Sequence, residues 1–327
     1  MRKIVLSFLL AGTATAASAN TAVTFGTNWL AQAEHGGFYQ GVADGTYAAC
    51  GLDVTIMPGG PQVNNRALMM AGKIDFNMGG NLLEQFSAVQ EGIPLKAVMA
   101  AFQKEPQVIL THPGKARTFE DLKKLKLFIG DAGYASYYQW MMKAYGFTED
   151  QRAVYTFNPA PFIADADSGM QGYLSSEPLM VEKEGKFKPD VWLLADAGYS
   201  TYSTLIEAMD STITGKPEVV KCFVEGSIKG WYSYLYGDNA AANAMIKKDN
   251  PDMTDEQIAF GIGEMKAKGI VDSGDTETKG IGVMTDAHVK DFFDKMAAAG
   301  VLPADLDYKA AYTLDFVGKG VGMELKK

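Results

Sequence analysis

Apolar and polar positions along the chain switch repeatedly between two periods. Val23-Thr24-Phe25 alternates apolar with polar, as a strand with one covered face does, and Asn28-Trp29 ends that run. A helical repeat then runs from Gly36-Gly37 through Phe38, Tyr39, Val42 and Tyr47 to a stop at Gly51. Leu52-Asp53-Val54-Thr55-Ile56 returns to the strand period, Pro58-Gly59-Gly60 closes it, and a helix over 63–71 ends at Gly72. Strands and helices joined by short glycine-rich turns predict an α/β fold with a mostly parallel sheet covered on both faces. In such sheets ligands sit beyond the carboxyl ends of the strands, which gathers Asn28, Trp29, Gly59, Gly60, Gly79, Gly80 and Asn81 into one rim.

The stretch 74–114 organises the rest. Ile74-Asp75-Phe76-Asn77-Met78 reads as a strand ended by Gly79-Gly80, and Asn81 caps a helix whose Leu82, Leu83, Phe86 and Val89 share one face. After Pro94, the near-continuous apolar run 95–101 suits a parallel strand buried on both faces. Only residues 102–106 separate it from the next strand, 107–111, which is too short for a crossover helix. The chain therefore leaves one sheet here and enters another. This predicts two lobes, one from 20–105 with 205–327 and one from 106–204.

Within the second lobe, Thr118 caps a helix with early acidic residues, 125–129 is a strand, and Gly130-Asp131-Ala132-Gly133 leads into an aromatic helix over 134–145. Strands at 154–157, 170–174 and 191–194 follow, and 199–204 is extended on the way back. The corresponding rim holds Asp131, Tyr134, Asn158, Ser176, Glu177, Asp196 and Tyr199. Beyond Lys216 the chain turns helical, with Val220, Phe223, Val224, Ile228 and Trp231 on one face and further helices starting at Thr254 and Thr285. These pad the first lobe.

Composition narrows the picture. A length of 327 residues accommodates two domains of ordinary size. Met1-Arg2-Lys3, the apolar run 4–10 and Ala17-Ser18-Ala19 read as a cleavable signal peptide over 1–19, so the mature chain starts at Asn20 and is exported. Removing Arg2 and Lys3 makes the chain more acidic than its formal charge of −9, which argues against nucleic acid as a partner. Cys50 and Cys222 each sit in an apolar helical pattern and read as two buried free thiols rather than a disulfide.

Candidate chemistry is that of binding, not turnover. The three histidines, His35, His112 and His288, lie in separate segments without a second ligand at metal spacing. There is no G-x-S-x-G elbow and no Gly-Lys-Ser/Thr phosphate loop. No enzyme, cofactor or metal is expected. Trp29, Tyr39, Tyr134 and Tyr199 offer flat faces for a planar ring, while Asn28, Asn81, Asn158, Asp131, Asp196 and Glu177 offer polar edges. His35, Gly80 and Gln103 complete the candidate set. Arginine is scarce after the signal: Arg66, Arg117 and Arg152 all fall off the inferred rims. An oxyanion would then need helix N-termini, so a neutral or cationic planar ligand is the better fit.

Asn28-Trp29, His35-Gly36-Gly37-Phe38-Tyr39, Gly51-Leu52-Asp53-Val54, Lys73-Ile74-Asp75-Phe76, Gln90-Glu91-Gly92-Ile93-Pro94 and Gly172-Tyr173-Leu174-Ser175-Ser176-Glu177-Pro178 together resemble the NMT1/THI5-like periplasmic solute-binding proteins of ABC importers. The resemblance spans nearly the whole mature chain. It implies a type II periplasmic-binding-protein fold, with two α/β lobes, a central ligand cleft and two hinge crossings, acting as a monomer with an inner-membrane ABC permease as partner. For the ligand it implies a small molecule, either the pyrimidine precursor of thiamin or another planar metabolite, with taurine, another sulfonate or nitrate as the alternative. Asn28, Trp29 and Glu177 match the ring-holding places of the pyrimidine binders, with Tyr134 and Tyr199 matching more loosely. The His- and Cys-rich iron segment of the eukaryotic enzyme relatives is missing here, which counts against catalysis.

Overall fold

Two five-stranded sheets stand side by side in the computed structural model, which describes residues 19–61 and 63–326. The signal-peptide reading falls almost wholly outside the described residues. Strands in chain order are β1 (Thr21–Gly26), β2 (Leu52–Met57), β3 (Phe76–Asn81), β4 (Leu95–Phe102), β5 (Gln107–Thr111), β6 (Lys126–Ile129), β7 (Arg152–Val154), β8 (Ser168–Tyr173), β9 (Asp190–Leu193) and β10 (Ser203–Met209). The first sheet has the order β2-β1-β3-β10-β4 and the second β7-β6-β8-β5-β9. The chain thus passes between them twice, from β4 to β5 and from β9 to β10.

Both sheets are mixed rather than mostly parallel. In the first, β1 pairs parallel with β2 and β3, whereas β10 runs antiparallel to both β3 and β4. Strand β4 is therefore not the interior parallel strand that its apolar run predicts. Its burial has another source: the C-terminal segment covers its edge, through a bridge from Ala97 to Tyr312 and a hydrogen bond from the Ala100 N–H to the Gly282 carbonyl at 3.1 Å. Gly79-Gly80 does not end β3 either. The strand continues to Asn81, and a Cβ on Gly79 would collide with Oε1 of Glu207 on β10, so glycine is needed there for a neighbouring side chain.

The first lobe is held by an aromatic core. Phe76 stacks on Phe223 with ring centroids 4.2 Å apart, and Phe25 packs on Phe38 at 4.8 Å. The helix Pro217–Tyr236 supplies Phe223 and Trp231, and it crosses the helix Gly36–Ala43 so closely that a Cβ on Gly230 would overlap the Gly37 carbonyl. Each buried ring contributes roughly 1.5–3 kcal/mol of apolar burial.

The cysteine expectation is overturned. Cys50 and Cys222 form a disulfide with Cα atoms 5.7 Å apart. Cys50 caps the four-residue helix Thr46–Ala49 on its solvent side and Cys222 is half-buried, so neither is the core residue its apolar neighbours suggest. A bond closing a loop of 172 residues in sequence suits the oxidising setting inferred for an exported chain. In the second lobe the strand expected at 154–157 is displaced to Arg152–Val154, leaving Phe157 in the left-handed region with φ of 62°. The aromatic helix forms, starting at Asp131–Gly133 and passing through a π-helical turn at Tyr134–Tyr138 into Gln139–Tyr145.

Candidate functional site

The two rims face each other along a seam, and rings meet across it. Trp29, just past β1, packs on Phe157 of the other lobe with centroids 4.7 Å apart. The left-handed backbone at Phe157 costs about 1–2 kcal/mol, and it delivers the ring to this contact. Farther along, Ser175 donates a hydrogen bond to the buried carboxylate of Glu34. Helix Asp255–Ala267 joins the same junction: Lys183 pairs with Glu256 at 2.6 Å, and a Cβ on Gly261 would lie 3.1 Å from the Ser175 carbonyl. The cavity remaining beside Glu34, Ser175 and Gln257 measures only about 10 Å³.

At the first-lobe rim, the helix Leu82–Gln90 begins directly after β3. Asn81 Oδ1 accepts from the Leu83 and Glu84 N–H groups at 3.0 and 3.4 Å, and Leu82 N–H donates to Thr201 Oγ1 at 3.2 Å. Glu84 turns back to accept the Gly80 N–H at 3.0 Å. The helix N-terminus, a natural anion site, is thus satisfied internally and has a carboxylate folded over it. Behind it, Glu207, fully buried, accepts from Arg66, from Gln85 and from Asn77 Nδ2, the last at 2.7 Å.

The second-lobe rim repeats the device. Glu177 opens the helix Glu177–Gly185 and accepts the Tyr173 N–H at 2.6 Å. Burial pushes its carboxyl up to about 7, with the nearby charge of Glu34 adding to the rise. Nearby, Gln171 Oε1 accepts the Gly130 N–H at 2.6 Å and the Tyr137 hydroxyl at 3.0 Å.

Between the rims, on the first crossing, sits a residue that nothing in the hydropathy pattern singles out. Glu105 is 3% exposed; it accepts from Asn81 Nδ2 and from the Gln107 N–H, both at 3.3 Å. Tyr199, fully buried, has its hydroxyl near Glu105 and the Asn81 side chain without a well-formed hydrogen bond to either.

The structure sorts the sequence-derived candidates into groups. Asn81 and Tyr199 come together around Glu105, Gly80 lies under Glu84, and Trp29 meets Phe157 with Asn28 exposed beside it. Asp131 and Tyr134 converge on Arg152, which pairs with the first and lies 4.4 Å from the ring of the second. This corrects the expectation that no arginine reaches a rim: Arg152 does, and Arg66 approaches the Glu84 carbonyl at 3.5 Å. Both guanidinium charges are answered by carboxylates. His35 is buried, and burial lowers its imidazole to about 3, so it is neutral. Asn158 is exposed and accepts the Ala160 N–H at 3.0 Å. Three candidates lie apart. Tyr39 donates to Asp249 at 2.8 Å, Gln103 spends its amide on the Ala100 and Val283 carbonyls, and Asp196 is exposed in a turn.

Among the described residues no cluster of His, Cys, Asp and Glu could hold a metal ion, and no helix is long and apolar enough to cross a membrane.

A family described as NMT1/THI5 like matches residues 32–242, more than half of the chain. A curated relative, riboflavin-binding protein RibY of Chloroflexus aurantiacus, is 24% identical over 334 aligned positions, covering 91% of this chain and 86% of the relative. Among solved structures, the putative periplasmic sulfonate-binding protein SsuA of Methylobacillus flagellatus superposes with a TM-score of 0.62 at 14% identity, covering 92% of this chain and 93% of that one. The desulfurization enzyme DSZB shares the fold at a TM-score of 0.55 and 8% identity, over 91% of this chain and 97% of the other. At such identities these structures establish a common fold, that of the two-lobed periplasmic binding proteins.

Proposed function

The chain belongs to the NMT1/THI5-like family, and on that footing we propose that it is the periplasmic substrate-binding protein of an ABC importer. It captures a planar nitrogen heterocycle between its lobes and hands it to an inner-membrane permease. The pyrimidine precursor of thiamin is the first candidate ligand, and the name of the riboflavin-binding relative supports a flat ring of that kind. The observation that carries the proposal is the contact of Trp29 with Phe157 across the seam, which can open to admit a ring and close on its faces.

The alternative, a sulfonate such as taurine or nitrate, draws support from the sulfonate-binding neighbour. Charge argues against it. Glu84 and Glu177 already occupy backbone N–H groups at the two rims, and a carboxylate in that place repels an oxyanion. Binding works by closure about the two crossings, 102–108 and 199–204, with the lobes 20–105 plus 205–327 and 106–204 moving as bodies of one monomer. Contacts from both lobes to one ligand couple capture to closure.

The test is native mass spectrometry of protein purified from the periplasm, followed by release and identification of the bound molecule. A planar nitrogen heterocycle in one-to-one stoichiometry is the expected result. A sulfonate or nitrate would overturn the ring reading, and conversion of the molecule on prolonged incubation would make the chain an enzyme on this shared fold.

A further inference from the structure

We propose that Glu105, with Asn81 and Tyr199, forms a cation subsite on the first crossing between the lobes that takes a protonated nitrogen of the ligand, an ammonium or an amidinium. The inference rests on the receptor reading above and specifies which charge that receptor selects. A carboxylate offers about four lone-pair positions. Two are filled by long hydrogen bonds of 3.3 Å from Asn81 Nδ2 and the Gln107 N–H, the Ser203 hydroxyl lies close by, and the group is 3% exposed. Beside it the fully buried Tyr199 hydroxyl, close to the Asn81 side chain, makes no well-formed hydrogen bond, so its oxygen can accept from an arriving N–H group. A site whose buried oxygens keep unused lone pairs is complementary to an N–H-bearing cation.

The surroundings give the same sign. Charged and titratable groups facing Glu105 are Glu84 from the first-lobe helix, Tyr137 from the π-helical turn, Tyr173 from β8 and Tyr199 from the second crossing. None is a cation, and all three tyrosines are held well above their ordinary value, chiefly by burial, so they stay neutral. Burial pushes the Glu105 carboxyl itself up to about 8, with Glu84 contributing. Without ligand the group holds a proton near neutral pH, and an arriving cation takes that proton's place. Position adds a mechanical consequence. Glu105 is gripped by Asn81 of one lobe and by the Gln107 backbone of the other, so a cation bound to it engages both sides of the crossing.

Three planar probes of nearly equal shape test this: benzamidine (cation), benzamide (neutral) and benzoate (anion), titrated calorimetrically into the full mature protein. Expected is binding of benzamidine at least about tenfold tighter than benzamide, with benzoate weakest. Glu105→Gln, isosteric and checked for folding by circular dichroism, should bring benzamidine and benzamide within about twofold of each other; Tyr199→Phe should narrow the gap partway. Benzamidine affinity should also rise between about pH 6 and pH 8 as Glu105 ionises, and benzamide affinity should not. Equal binding of benzamidine and benzamide, or a preference that survives Glu105→Gln, would overturn the cation subsite and leave the ring receptor standing. Binding of none of the three would sink the ring receptor itself, and the subsite with it.

Discussion

Glu84 in one lobe and Glu177 in the other play the same backbone role, since each lies in the first turn of a helix and turns back to accept the N–H four residues earlier, at Gly80 and at Tyr173. Their surroundings differ. Arg66 lies near Glu84 and offsets part of the rise that burial causes, and it pairs in turn with the fully buried Glu207. Glu177 has no such cation; the charge near it is another acid, Glu34. The first lobe is also stapled by the Cys50–Cys222 disulfide and packed on stacked aromatic rings, while the described residues of the second carry no disulfide. One rim acid therefore has a cation of its own lobe beside it. The other rim carries an acid whose charged neighbour is a second acid.

The most severe way to break this contrast is Arg66→Met. It leaves Glu207 buried with only amide donors, so a loss of about 3–5 kcal/mol in urea unfolding is expected. The second substitution Glu207→Gln should restore a large part of it. A loss below about 1 kcal/mol would mean the first lobe does not depend on this pair.

Next in size is the staple. Cys222→Ser should cost about 2–4 kcal/mol of stability while leaving benzamidine affinity unchanged, since the bond lies far from the seam in the first lobe. Labelling of two thiols in the unreduced protein would show instead that the pairing does not form.

The seam itself is probed by Trp29→Ala and Glu177→Gln. Each is expected to weaken binding of the molecule recovered from the periplasm by more than tenfold, above about 1.4 kcal/mol, with the fold intact. Glu84→Gln should weaken it less, because Arg66 already answers part of that charge. Equal effects of the two glutamines would erase the asymmetry between the rims.

How far the sequence anticipates this depends on the range of the cause. Strand and helix periods are local, and they place most elements. The change of sheet near residue 104 is legible because five residues cannot hold a crossover helix. Trp29 stands out as an aromatic residue past a strand end, but its partner Phe157 does not, since a left-handed backbone in a turn leaves no trace in periodicity. Glu105 looks like a solvated connector residue. Its burial comes from Asn81, Tyr137, Tyr173 and Tyr199 converging from separate segments, which no window of sequence contains. The disulfide is missed for the same reason, with its partners 172 positions apart.

The smallest expected effect is the dependence of stability on pH, and it sharpens the contrast between Glu84 and Glu177. Burial, with Glu34 nearby, raises the Glu177 carboxyl from 4.5 to about 7, so the folded protein binds this proton more tightly than the unfolded chain. The resulting stabilisation is complete below about pH 4.5 and is lost as pH rises through about 7. Glu177→Gln removes the titration. Relative to wild type, its melting temperature should therefore be higher at pH 8 than at pH 5, by about 2–4 °C. Glu84→Gln should show the same sign and a smaller shift, because the Arg66 charge opposes burial there. A larger shift for Glu84→Gln would place the uncompensated acid in the first lobe and reverse the assignment of the two rims.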